Sequence, residues 1–111
     1  MLKLKIIMDG EKIARDGRYE ATAILSAIDT AFKHNGLLKS EYEENMYVGM
    51  GHPDDYAKFW RIIWSLAEKP WFMENVKEWL WFNSDDGKDE NDFSIEDIMA
   101  FCREHHVGVS A

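Results

Sequence analysis

Nine aromatic side chains fall within the 27 residues from Tyr56 to Phe82. Each ring removes about 150–250 Å² from water when buried, so a chain carrying this density must build its core around that segment. Tyr56, Phe59, Trp60, Ile63, Trp64 and Ala67 recur at helical spacing, which predicts a helix beginning near Pro53-Asp54-Asp55. Pro70 interrupts it and predicts the start of a second helix, with Phe72, Val76, Trp79 and Leu80 on one face. Trp60, Trp64, Phe72 and Trp79 are expected to point inward. Trp71 and Trp81 fall off the stripe, and Trp81 is expected at the surface.

Around this segment the periodicities change. Leu2, Leu4 and Ile6 alternate with Lys3 and Lys5, the period-two pattern of a strand with one buried face. Asp9-Gly10 after it is a hairpin signal, which predicts a second short arm over 11–14. Ala21, Ile24, Leu25, Ile28, Ala31 and Phe32 form one face of a helix over about 18–34, ended by Asn35-Gly36. Residues 37–44 read as a polar connector, and 45–50 as another strand. Ser94-Ile95-Glu96-Asp97 looks like a capping box with Phe93 as its staple, opening a helix that faces inward through Ile95, Ile98, Met99, Cys102 and His106. The expected architecture is α+β. A small antiparallel sheet, made of the 2–14 hairpin and one further strand, packs against three or four helices.

The 111 residues fit a single domain, 1–111, and 46% are hydrophobic, enough for a core without staples. Cys102 has no partner cysteine, which suits a reducing compartment. No apolar run reaches the length of a membrane span, and Met1–Met8 lacks the apolar core of a signal peptide, so a cytoplasmic location is expected. The net charge of −8 is unevenly placed. Residues 1–18 carry a balance of +2, residues 41–60 one of −4, and residues 81–100 one of −6. Such a surface repels phosphate backbones and anionic lipid, which argues against direct nucleic-acid or membrane binding and fits a protein partner with a basic surface.

Candidate chemistry is sparse. Asp85, Asp86, Asp89, Glu90 and Asp92 supply oxygen ligands of the kind calcium takes, but the EF-hand register fails. Gly87 at the turn position puts Phe82 first, and Ile95 at the hydrophobic position puts Lys88 first and Phe93 at the glycine. Cys102 and His106 share a helix face, yet zinc needs further ligands, and only His52 or His34 could add histidines from elsewhere. Gly49-Met50-Gly51 before a helix resembles a phosphate loop, but Asp54 and Asp55 in the first turn would repel the anion. No nucleophile motif or metalloprotease motif is present, so no catalytic residue, metal or cofactor is assigned.

Two segments carry a resemblance: Leu2 through Tyr19 (LKLKIIMDGEKIARDGRY) and Glu78 through Asp86 (EWLWFNSDD). Both resemble a family of small, uncharacterised acidic proteins associated with mobile elements of gut Firmicutes. That resemblance implies an accessory role on a selfish element and brings no known active site. Small acidic proteins of such elements include anti-CRISPR and anti-restriction inhibitors, some of which imitate the charge of DNA.

The expected function is therefore non-catalytic. The chain binds a basic protein partner through Trp81, Asp85, Asp86, Asp89, Glu90 and Asp92, where an off-stripe tryptophan meets a loop of carboxylates. An inhibitor of a nucleic-acid-handling protein is its sharpest form. The alternatives are a ligand- or metal-binding domain or enzyme with a pocket among Tyr47, His52, Trp60 and Cys102, and a homodimer formed through the aromatic helices.

Overall fold

The computed structural model describes residues 1–105. It shows an α+β fold with a five-stranded, wholly antiparallel sheet in the order β2-β3-β1-β4-β5. The strands are β1 (Leu2–Met8), β2 (Leu38–Lys39), β3 (Met46–Val48), β4 (Val76–Asn83) and β5 (Ser94–Asp97). The helices are α1 (Gly10–Asp16), α2 (Ala21–His34), α3 (Asp55–Ala67), α4 (Pro70–Met73) and α5 (Ile98–Glu104).

The alternation of β1 places it at the centre of the sheet, with β3 on one side and β4 on the other. Leu4 pairs with both Tyr47 and Trp81, and Ile6 pairs with Trp79, so these five share one face. Helical rings cover that face. Phe32 of α2 stacks on Tyr47 at 3.9 Å, Phe59 of α3 meets Trp81 edge-on at 5.2 Å, and Phe72 of α4 meets Trp79 at 4.7 Å. Leu4, Phe32, Phe59, Phe72 and Trp79 are wholly buried there. The opposite face carries Lys3, Lys5, Val48, Leu80 and Phe82, all half-buried, and exposed Ile95.

The Asp9-Gly10 pair opens α1 instead of turning a hairpin. Asp9 Oδ1 accepts from the Lys12 amide at 3.0 Å, and Gly17 ends the helix in the left-handed region at φ 63°. Ile13 is the one residue of the segment after the pair that is buried, too little for a second arm but enough to anchor one helical turn in the core. The partners of β1 come from far along the chain. The connector 37–44 contributes the two-residue edge strand β2.

The largest departure lies after Pro70. The helix it opens lasts one turn, and β4 begins at Val76. In the register, Ile7 faces Glu78 while Met8 faces Val76, so Lys77 is an extra residue in β4. This bulge sets Val76 and Trp79 three apart and both buried, a spacing that imitates a helix face. Val, Trp and Phe suit a half-buried pleat, and pairing with β1 decides the outcome.

Ser94–Asp97 is likewise a strand, paired with Leu80–Asn83. Ser94 Oγ donates to the Asn83 carbonyl at 3.1 Å, and the N-cap of α5 is Asp97, which accepts from the Ala100 amide at 3.2 Å. Phe93 packs edge-on against Phe82 at 6.1 Å instead of stapling a helix, with the Lys3 ammonium 4.8 Å above its ring. Ile95 is exposed, Ile98 and Cys102 are buried, and His106 lies outside the described residues.

Helix α3 is rotated from its expected aspect. Phe59, Ile62, Ile63, Leu66 and Ala67 are buried, whereas Tyr56 and Trp64 are 52% and 40% exposed and Trp60 is half-buried. The buried stripe is the aliphatic one plus a single ring. The large aromatics ride on its edge, where Trp60 and Trp64 meet Phe101 of α5.

Candidate functional site

The ten residues between β4 and β5 form a loop built from its own side chains. Asn83 Oδ1 accepts from the Asp85 amide at 2.8 Å, Asp89 Oδ1 from the Asn91 amide at 2.8 Å, and Asp92 Oδ2 from the Lys88 amide at 2.9 Å. Gly87 is required at the crossing of the loop, because a Cβ there would lie 2.3 Å from the Asp92 carbonyl oxygen. Buried Ser84 fastens the loop to the start of β1, its amide donating to the Met1 carbonyl at 3.0 Å.

Carboxylates of this loop therefore divide by role. Asp89 and Asp92 hold turns, and Asp85 accepts from the Met1 ammonium at 2.6 Å. Asp86 and Glu90 make no ion pair among the described residues, and both are exposed. The five acids occupy one end of the sheet, but they do not close on a common point. Among the described residues no group of three or more His, Cys, Asp or Glu is placed to hold a metal ion.

Trp81 is not part of this surface. It is 4% exposed, and its ring sits against Tyr56, Phe59 and Trp60 at 6.0, 5.2 and 5.7 Å. The expectation of an exposed tryptophan followed from counting positions on a helix. On a strand, residues 79 and 81 point the same way, and here that way is inward. The aromatics that reach solvent nearby are Tyr56 and Trp64.

Nor do Tyr47, His52, Trp60 and Cys102 converge on a pocket. Tyr47 is stacked in the core, and its hydroxyl donates to Asp29. Burial first, and then the Asp29 carboxylate, push its pKa well above the ordinary tyrosine range. Cys102 is buried, and desolvation raises its thiol pKa, which keeps it protonated and inert. Trp60 sits among Tyr56, Trp64 and Phe101.

His52 belongs to a different place. A cleft of about 480 Å³ separates the acidic loop from the segment joining β3 to α3, lined by Leu2, Gly49, His52, Pro53, Asp55, Asp85 and Glu90 among others. Asp55 is 3% exposed. Its Oδ2 accepts from the amides of Met50 at 2.8 Å and His52 at 3.1 Å, while Oδ1 is buried without a hydrogen-bond partner among the described residues. Gly49 lets the carboxylate approach, since a Cβ there would stand 2.9 Å from Oδ2. A buried acceptor left unmatched costs about 1–3 kcal/mol, and more when charged.

This arrangement disposes of the phosphate-loop resemblance of Gly49-Met50-Gly51. The Met50 and His52 amides that would cradle an anion already serve a carboxylate, and the Gly49 amide donates to the Leu2 carbonyl at 2.9 Å. Asp55 was visible in the sequence only as a helix-start acid. Its burial depends on a loop folding back over it, and no local spacing signals that.

Compared with known proteins, the chain matches no family model, no curated protein and no solved structure. No helix among the described residues is long and apolar enough to cross a membrane.

Proposed function

We propose that the protein is a non-catalytic interaction protein that binds a basic partner through the 84–92 loop and the cleft beside it. The supporting observation is the concentration of charge, a balance of −6 over residues 81–100. Lys3, Lys5, Lys12 and Arg18 are each held by an acid: Glu43 at 2.7 Å, Glu78 at 3.3 Å, Asp16 at 3.8 Å and Glu74 at 3.1 Å. Asp86 and Glu90 have no such partner, so the negative field of residues 81–100 leaves the molecule at one end. Fields of this kind speed association with oppositely charged proteins and weaken with salt. The sharpest form, taken from the resemblance to acidic mobile-element proteins, is an inhibitor of a nucleic-acid-handling protein that occupies its basic channel.

The test is binding to a panel of basic nucleases at low salt. The variant Asp85/Asp86/Asp89/Asp92→Asn keeps a side-chain acceptor at every turn position and removes four charges. Saturable binding that is lost in the variant and competed by DNA supports the reading; unchanged binding by the variant overturns it.

A further inference from the structure

We infer that the cleft over Asp55 receives the guanidinium of one arginine side chain from the basic partner, an inference that rests on the interaction reading above. Asp55 carries it. One oxygen is fixed by two backbone amides, the other is buried without a partner among the described residues, and the residue itself lines an open cleft. A carboxylate held in this way is an acceptor oriented before any ligand arrives.

The chemistry of the walls selects the cation. Glu90 and Asp85 line the same cleft, Asp85 already paired with the Met1 ammonium at 2.6 Å, and the acids are not grouped closely enough to share a metal ion. A ligand must therefore present several donors spread in space. A guanidinium does so, with five N–H groups in a rigid planar fork, whereas an ammonium is a compact point charge. Leu2 and Pro53 supply apolar wall, which suits the weakly hydrated guanidinium better than the strongly hydrated ammonium. The cleft volume also falls within the range of pockets that enclose small organic groups. Anions are disfavoured, because the Met50 and His52 amides already serve Asp55 and the walls carry further carboxylates.

The experiment uses N-acetyl-arginine amide as the probe, read by amide chemical shifts of the full chain. Titration is expected to move the Met50 and His52 amides, with N-acetyl-lysine amide at least threefold weaker and the citrulline analogue silent. Glu90→Arg, at an exposed loop position, places a guanidinium in the cleft from within and is expected to abolish the response. Because Asp55→Asn risks the fold, Glu90→Gln serves as the conservative variant, with at least a threefold loss expected. Equal responses to arginine and lysine probes, shifts confined to the loop, or a full response in Glu90→Arg would each overturn the cleft. A basic nuclease that loses binding in the four-Asn variant but binds Glu90→Arg unchanged also overturns it, while leaving the acidic-surface reading intact. Probe binding at Met50 and His52 without any nuclease partner does the reverse.

Discussion

Trp81 and Asp85 stand four residues apart in the chain and belong to opposite regimes. Trp81 ends the inward row of β4 and is closed over by Tyr56, Phe59 and Trp60. Asp85 begins a loop whose backbone is held by its own carboxylates and whose outer acids have no partners among the described residues. In the first regime a side chain matters through its area and shape. In the second it matters through charge and turn geometry, and deletion of the charge leaves the fold standing. The two meet at Ser84, whose buried position links the last core residues of β4 to the first turn of the loop.

The strongest test of that division is Trp81→Ala. It empties a ring-sized space in the core, and large-to-small changes of this kind cost about 3–5 kcal/mol. Urea unfolding should show a large fraction of the stability of a domain this size removed. A loss under about 1 kcal/mol would mean that Trp81 belongs with the loop after all.

Gly87→Ala comes next and asks how rigid the loop is. A Cβ at 2.3 Å from the Asp92 carbonyl cannot be accommodated without moving backbone. Strained backbone of this sort costs about 1–3 kcal/mol. The expected outcome is a modest fall in stability with displaced amide signals at Lys88 and Asp92. An unchanged spectrum would show that the loop re-forms freely and does not present a fixed acidic surface.

Much of the fold was legible where the signal is local. Ile24, Ile28 and Phe32 mark α2 by their own spacing, Gly36 ends it with φ 75°, and β1 alternates as its burial does. What was hidden depends on partners distant in sequence. Lys77 enters β4 as a bulge, so Val76 and Trp79 look helical until β1 is laid beside them. β5 is exposed along its whole length and has no apolar pattern to betray it. The acids of the loop were legible by composition. Asp55 was not, because its role is set by amides that fold back onto it.

The same point yields a cap test. Asp97→Ala should cost about 1 kcal/mol by freeing the Ala100 amide at the start of α5. Ser94→Ala should cost less, since its hydroxyl only supplements a strand pairing. The reverse order, read from the two denaturation midpoints, would restore the capping box to Ser94.

The contact between buried Tyr47 and exposed Asp29 offers a pH version of the comparison. Asp29 accepts from Tyr47, whose pKa is raised by burial and by that acid. The unfolded tyrosine ionises near its ordinary value of about 10, while the folded one stays neutral to higher pH. The stabilisation is therefore complete below about pH 10 and is lost as pH rises beyond it. Tyr47→Phe should lower stability at neutral pH by about 0.5–1.5 kcal/mol, the net worth of one hydrogen bond. It should also flatten the alkaline decline measured by thermal melts from pH 9 to 11. An equally steep decline in the variant would move the responsible group elsewhere.

The smallest expected effect is the most informative about function. Asp86 is exposed, its side chain makes no hydrogen bond or ion pair among the described residues, and it lies in the loop whose charge the proposed partner would meet. Asp86→Asn should change stability by no more than about 0.5 kcal/mol, the usual range for a surface site without such contacts. Its effect on association should appear instead in the rate of encounter, weakening as salt is raised past the point where the screening length falls to about 8 Å. A variant that is clearly destabilised would place Asp86 among the turn-forming acids, like Asp89 and Asp92. One that is as stable as the wild type and slower to bind separates the two regimes at a single residue: Trp81 holds the shape, and the loop four residues on carries the charge.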